Sequence, residues 1–124
     1  MTWALFLDDY RFPEDTKTRR SDWMIARSYD DAVNLVTEYG PPVFISFDHD
    51  LADEHYKSFE AGAAAEKTGY QFAKWFCSYI TENDLVLSDN FGYYVHSMNP
   101  VGAKNIDDYM KWFLKNVYRH PEYK

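Results

Sequence analysis

Three short apolar runs in this sequence end at side chains that can bind metal ions or transfer protons. They are WALFL (3–7) before Asp8 and Asp9, VFISF (43–47) before Asp48, His49 and Asp50, and YYVHS (93–97), which ends in His96 and Ser97. A continuous apolar run is typical of a strand that is buried on both faces of a parallel sheet. Because the carboxyl ends of parallel strands share one edge, outside which ligands bind, we expect the three polar clusters to meet there.

Helical patterns alternate with these runs. WMIARS (23–28) is a shorter strand candidate, and the segments 29–40, 68–83 and 103–120 have the apolar spacing of amphipathic helices. Residues 10–22 are polar and include a proline, which predicts a loop. Strands that alternate with helices predict an α/β fold, a three-layer sandwich around a mainly parallel sheet of about four strands.

Length and composition indicate a single unit. The chain has 124 residues, of which 46% are hydrophobic and 19% aromatic, so we expect one domain spanning residues 1–124. Cys77 has no partner for an internal disulfide, and its apolar surroundings in the sequence favour a small core residue. No apolar run approaches the ~18 residues that span a bilayer, and the first residues lack the features of a signal peptide. The sequence therefore predicts a cytoplasmic protein without membrane insertion.

The net charge limits the partners that this chain can attract. It is −7, from 20 acidic and 13 basic residues, which opposes attraction to duplex nucleic acid and to anionic membrane surfaces. A small phosphorylated ligand is compatible with this charge where a bound cation or a few placed basic residues offset it locally. Acidic clusters at predicted strand ends favour the cation.

The first part of the chain carries motifs of a known signalling fold. LFLDD (5–9) is similar to the acidic pair that ends the first strand of CheY-like receiver domains, and VFISFD (43–48) to their third strand with its phosphorylatable aspartate. This resemblance covers residues 3–50 and implies a receiver-like (flavodoxin-like) sheet. The sheet is expected to be reduced relative to a full receiver, because no first helix is predicted after Asp9 and one strand follows where receivers have two.

A more specific resemblance extends over nearly the whole chain. LFLDDYR, FISFDHDL with a following histidine, TGY and VHSMNPVGAKNI are similar to motifs of the cyclic-phosphate-processing receiver domains, a divergent branch of the receiver family. The resemblance implies catalysis on a cyclic phosphate or a cyclic nucleotide.

The early acidic pair favours a metal site. Asp8 and Asp9 repel each other, and bringing Asp48 near them raises that cost unless a divalent cation binds oxygens from several of them. We predict these three residues as metal ligands for Mg²⁺ or Mn²⁺, with Zn²⁺ as an alternative because histidines lie close in the sequence. A simpler alternative is that one or both early acids cap a turn or pair with Arg11.

Two histidines are candidates for acid–base chemistry. We predict His49 and His96, together with Asp50, as the catalytic group, with His96 protonating the leaving oxygen while an activated water attacks phosphorus. The two histidines could also work without metal, one as base and one as acid. The structural alternative for His96 is a hydrogen bond to Asp48 or Asp50.

The start of the last predicted helix is a candidate seat for phosphate. PVGAKN (100–105) places a glycine and backbone N–H groups where the helix dipole favours an anion. The residues that we assign to substrate binding are Arg11, His55, Ser97, Asn99, Lys104 and Asn105.

These assignments predict a phosphodiesterase that opens a cyclic phosphate. The substrate would be a cyclic nucleotide or an RNA end with a 2′,3′-cyclic phosphate, and the net charge favours the small soluble ligand. An alternative from another class is a module that binds and sequesters a cyclic nucleotide or another phosphorylated small ligand without turnover. A third interpretation, a phosphoaccepting regulator that uses Asp48, is disfavoured because His49 and Asp50 crowd the acceptor.

Overall fold

Four parallel strands form the sheet of this fold. The structure, a computed structural model, describes residues 2–13, 20–48 and 68–118. The strands are β1 (Ala4–Leu7), β2 (Trp23–Ala26), β3 (Phe44–Phe47) and β4 (Gly92–Val95), in the sheet order β2-β1-β3-β4. Their register is level, since Ala4 lies opposite both Trp23 and Phe44, and Phe44 lies opposite Gly92. All four strands therefore end at the same edge of the sheet.

The three α-helices that the structure describes each begin at a side-chain cap. The helices are α1 (Tyr29–Tyr39), α2 (Gly69–Glu82) and α3 (Pro100–Trp112), and a π-helical segment (Phe113–Val117) continues α3. The side chains of Ser28, Thr68 and Asn99 accept hydrogen bonds from the first turns, which satisfies backbone donors that have no partner within the helix. Helix α1 ends at Gly40, whose φ of 84° suits a residue without a Cβ.

The centre of the sheet is buried on both faces. Alternate residues of a strand point to opposite sides. One face, which carries Leu5 and Phe47, packs against the buried sides of all three helices. On the other face, Ala4, Phe6 and Ser46 are completely buried. Burial on both sides explains why β1 is apolar throughout.

The predicted fold class is confirmed as an α/β fold with a four-stranded parallel sheet and three helices, a reduced receiver-like arrangement. Element boundaries differ by a few residues. Strand β4 ends at Val95, so His96 and Ser97 follow the strand instead of closing it. The last helix begins at Pro100, ahead of the predicted start, because Asn99 caps it and a proline in the first turn costs no hydrogen bond. None of the described helices is both long and apolar enough to span a bilayer.

Candidate active site at the carboxyl ends of the strands

Each of the four strands is followed directly by a polar residue, which is Arg27 after β2, and three of these residues form the centre of the site. Asp8 follows β1, Asp48 follows β3 and His96 follows β4. The sheet ladder continues into these positions, since the Asp48 amide donates to the Leu7 carbonyl and the His96 amide to the Phe47 carbonyl, each at 2.9 Å. The backbone of the site is therefore as well fixed as the sheet itself, and the structure brings the three strand ends together at one edge.

Asp8 is completely buried, and both of its carboxylate oxygens are occupied. Oδ1 accepts the backbone N–H groups of Tyr10 and Arg11 at 3.0 and 2.9 Å. Oδ2 accepts Nε of Arg11 at 2.8 Å and lies 2.9 Å from Nε2 of His96. Burial alone would raise the pKa of Asp8, but these hydrogen bonds, above all the one from His96, hold it well below its usual range. Asp8 thus both caps a turn and pairs with Arg11, as in the simpler alternative considered for the early acids.

The imidazole of His96 bridges Asp8 and a serine within β3. We assign a proton to Nε2 because the carboxylate of Asp8 can only accept, and Nδ1 lies within hydrogen-bond distance of Oγ of Ser46, at 2.7 Å. The ring stacks on Phe6, with centroids 4.8 Å apart and planes 4° apart. Only 3% of the His96 side chain is exposed. The structural alternative for His96 named Asp48 or Asp50 as its partner, whereas the carboxylate that pairs with the ring is that of Asp8.

Asp9 and Asp48 complete an acidic cluster with Asp8. One carboxylate oxygen from each of the three lies within 4.8 Å of the others. The buried Oδ1 of Asp9 has no hydrogen-bond partner in the part of the chain that the structure describes. Burial and the charge of Asp8 raise the pKa of both Asp9 and Asp48 above the ordinary range. The cluster therefore holds negative charge that its surroundings compensate only in part, which favours a bound cation.

Two arginines lie beside the acidic cluster. Arg11 reaches beyond Asp8, since its Nη2 lies 3.5 Å from Oδ2 of Asp48 and its Nη1 donates to the His96 carbonyl at 3.5 Å. Arg27 donates to the backbone carbonyls of Asp8 and Arg11. Arg11 thus links the ends of β1, β3 and β4, and Arg27 fixes the loop that carries Arg11.

Two of the residues predicted to bind substrate, Arg11 and Ser97, lie at this site, and a third, Asn99, caps a helix. Arg11 contacts the cluster, and Ser97 lies near Asp48. The charge of Arg11 and, to a smaller extent, the Ser97 hydroxyl offset part of the increase in the pKa of Asp48 that burial causes. Asn99 caps α3, because its Oδ1 accepts the Gly102 amide at 3.0 Å. The Gly102 amide, which was expected to be free for phosphate, is therefore occupied.

The remaining predicted site residues lie elsewhere. Lys104 has 73% of its side chain exposed and pairs with Asp108 at 2.7 Å on α3, and Asn105 next to it is also exposed. No contact between described residues joins either of them to the acidic cluster. The last three predicted residues, His49, Asp50 and His55, lie outside the described residues, so their roles stay predictions.

The sequence pattern did not identify three residues that shape the site, which are Phe6, Arg27 and Ser46. Ser46 did carry a signal, because it is the polar side chain within the buried run VFISF and a buried hydroxyl needs a partner. Phe6 has no such signal, since it is an apolar residue in an apolar run. The hydrogen bonds of Arg27 depend on a loop path that the sequence does not reveal.

Comparison with known proteins identifies the family. The sequence profile of the family described as cyclic-phosphate processing Receiver domain matches residues 3–112. The matched range contains the four strands, the three helices and the whole acidic cluster. Comparisons with curated proteins and with solved structures gave no match. The chain belongs to the cyclic-phosphate processing receiver domain family.

Proposed function

We propose that this protein is a phosphodiesterase that opens a cyclic phosphate with the help of a divalent cation at Asp8, Asp9 and Asp48. The observation that carries the proposal is the acidic cluster, whose three carboxylates offer oxygens within 4.8 Å of one another at the carboxyl edge of a parallel sheet. The family description supports the ligand class, because it names the processing of cyclic phosphates. The substrate that we favour is a cyclic nucleotide, and an RNA end with a 2′,3′-cyclic phosphate has the same reacting group.

The donor atoms of the cluster suit a hard divalent cation. Carboxylate oxygens are the ligands that Mg²⁺ and Mn²⁺ prefer, and the unpartnered Oδ1 of Asp9 would gain a partner. Zn²⁺ fits less well, because both ring nitrogens of His96 are already engaged by Ser46 and Asp8. When bound, such a cation stabilises charge on a phosphoryl oxygen and lowers the pKa of a water.

The protein side chains would bind and orient the phosphate. Arg11 has 18% of its side chain exposed, and a guanidinium can donate two parallel hydrogen bonds to a phosphate. Ser97 places a hydroxyl next to Asp48 and adds a second donor. His96 acts on Asp8 and not on the ligand in this conformation, because its ring is almost fully enclosed. We therefore assign His96 to holding Asp8 in position.

The other predicted residues keep their proposed roles. His49 and Asp50 are proposed to supply the general acid and the general base, because one group must protonate the leaving oxygen and another must accept a proton from the attacking water. His55, Asn99, Lys104 and Asn105 are proposed to contact the ligand outside the reacting phosphate.

Product formation from cyclic nucleotides tests the proposal. The protein is incubated with 2′,3′-cyclic and 3′,5′-cyclic nucleotides and Mg²⁺ or Mn²⁺, with and without EDTA, and linear nucleotide is quantified by chromatography. We expect linear product that EDTA abolishes. Asp9→Asn should reduce the rate by roughly 10- to 100-fold through weaker cation binding. The matched control is Glu38→Gln, which removes one negative charge from an exposed position near the end of α1 and should leave the rate unchanged.

A binding module is the second candidate, and one observation favours it. His96 is the histidine at the described strand ends, and both of its ring nitrogens are engaged by the protein, so it offers no free acid or base to a ligand. In this case equilibrium dialysis would show cyclic nucleotide retained by the protein and recovered intact. Linear product in the dialysis chamber would exclude simple sequestration.

A further inference from the structure

Asp8 has no acceptor position left for a cation in this conformation. A carboxylate offers about four lone-pair positions. Asp8 uses them for the amides of Tyr10 and Arg11, for Nε of Arg11 and for Nε2 of His96. The two amides belong to the backbone and the His96 ring is enclosed, whereas the guanidinium lies at the end of a long side chain. Arg11 is therefore the donor that a cation would have to displace.

The same guanidinium compensates the charge of Asp48. Nη2 of Arg11 lies 3.5 Å from Oδ2 of Asp48, whose side chain is only 5% exposed. A guanidinium does not lose its proton in proteins, so this positive charge is permanent. Among the described residues, Arg11 is the basic side chain that reaches both Asp8 and Asp48, and the His96 imidazole contacts Asp8. It thus supplies at the acidic cluster the charge that a metal ion would otherwise supply.

We infer that Arg11 is an internal counter-ion that competes with the divalent cation for the acidic cluster, and that a phosphoryl ligand relieves this competition by binding the guanidinium. This inference rests on the proposed function, because it takes the acidic cluster as the cation site. When a phosphate draws the guanidinium away, Oδ2 of Asp8 and the carboxylate of Asp48 become available to the cation. The cation and the phosphoryl ligand then bind cooperatively, and the coupling between them is reciprocal.

Cation binding without turnover tests this coupling. Mn²⁺ is titrated into the full chain and free Mn²⁺ is followed by electron paramagnetic resonance, with and without methyl phosphate, and a protein-free blank corrects for the Mn²⁺–methyl phosphate complex. We expect Arg11→Gln to bind Mn²⁺ roughly 5- to 150-fold more tightly than the unmodified protein. Methyl phosphate should tighten Mn²⁺ binding to the unmodified protein clearly more than to Arg11→Gln. The matched control, Arg20→Gln, removes an arginine that pairs with Asp22 at 2.8 Å away from the cluster, and it should behave like the unmodified protein.

Equal or weaker Mn²⁺ affinity of Arg11→Gln, or a methyl phosphate effect that is the same with and without Arg11, would overturn the inference. If the circular dichroism spectrum shows that Arg11→Gln does not fold, Arg11→Lys is used in its place. Its Mn²⁺ affinity should lie between that of the unmodified protein and that expected for Arg11→Gln. The methyl phosphate experiment on the unmodified protein needs no variant, and no change in its Mn²⁺ affinity would also overturn the inference.

The cyclic nucleotide assay separates this inference from the proposed function. If Mn²⁺ and methyl phosphate bind cooperatively but no linear product forms, the counter-ion role of Arg11 is supported and catalysis is excluded. Linear product together with unchanged Mn²⁺ affinity in Arg11→Gln would support catalysis and exclude the counter-ion role of Arg11. If Mn²⁺ binds neither the unmodified protein nor Arg11→Gln, both the metal-dependent catalysis and the counter-ion role are excluded.

Discussion

Nε2 of His96 lies 2.9 Å from Oδ2 of Asp8, although 88 residues separate the two in the chain. The contact joins the ends of β4 and β1, which are not neighbours in the sheet because β3 lies between them. Asp8 is completely buried, and a buried carboxylate is costly unless it is hydrogen-bonded and paired. The His96–Asp8 contact therefore contributes to the stability of the fold as well as to the site.

Replacing His96 should destabilise the protein strongly. His96→Ala removes a donor from a buried charged acceptor, and hydrogen bonds to charged groups contribute about 1.5–3 kcal/mol, so we expect a loss of that size in the free energy of unfolding. Urea denaturation followed by tryptophan fluorescence measures it. His96→Gln keeps an N–H donor in the same region and should lose less. A free energy of unfolding within about 0.5 kcal/mol of the unmodified protein for His96→Ala would contradict the prediction.

Ser46 should control the environment of the His96 ring. Ser46→Ala leaves Nδ1 of His96 without its buried partner, and we expect a loss of about 1–2 kcal/mol in the free energy of unfolding. The ¹⁵N chemical shift of Nδ1 should also move, which loss of packing alone would not cause. Ser88→Ala is the matched control, because Ser88 is exposed and bonds only locally to the Asn90 amide. An unchanged Nδ1 shift in Ser46→Ala would show that the hydroxyl is not its partner.

The Asp107 carboxylate should give the protein a small pH-dependent stability. Hydrogen bonds from Lys111 and from the Tyr93 hydroxyl hold the pKa of Asp107 below its ordinary value. A lowered pKa in the folded state stabilises the protein above the ordinary carboxyl pKa of about 4, and this contribution is lost as the pH falls below it. Asp107→Asn should therefore unfold at lower urea than the unmodified protein at neutral pH, and the two should converge in acid. A gap that widens in acid would contradict the sign.

Cys77 should be chemically silent in the folded protein. Its side chain is buried between α2 and α3, where Sγ lies 3.8 Å from the sulfur of Met110, and burial raises the pKa of the thiol to about 12. At pH 8 we expect no reaction with Ellman's reagent in buffer and one equivalent in guanidinium chloride. Rapid reaction of the native protein would mean that α2 and α3 separate readily.

Much of the fold follows from local patterns in the sequence. The run at β1 is apolar throughout because both of its faces are buried, and the acids that follow β1 and β3 mark the ends of these strands. Caps are equally local, so Ser28 and Gly40 predict both ends of α1. The apolar pattern does not define the last residue of β4 as sharply as that of β1, because the residues of β4 are only partly buried.

The contacts within the site could not be predicted in the same way. Placing Asp8, Asp48 and His96 at one edge requires only the rule that parallel strands end together. Which partner each side chain takes depends on distances of a few ångströms between residues far apart in the chain. Ser46 and His96 are 50 residues apart. They meet because the register pairs Ser46 with Tyr94, so that His96 lies two residues further along the neighbouring strand and on the same side of the sheet. Asn99 was expected to bind substrate and caps a helix, since the local capping interaction competes for the same side-chain oxygen.

Because the four strands are in level register and end at one edge, mutations within the strands and mutations in the loops beyond that edge should have different effects on this protein. Mutations inside the strands alter packing and will be selected for their effect on folding. Beyond Asp8, Asp48 and His96, where the ladder stops, the loops that leave the common edge can vary in length and composition with little effect on the sheet. Relatives that prefer different ligands should therefore have similar melting temperatures, although the sequences of these edge loops differ. Moving one such loop from a relative into this protein should transfer the ligand preference while the sheet stays the same.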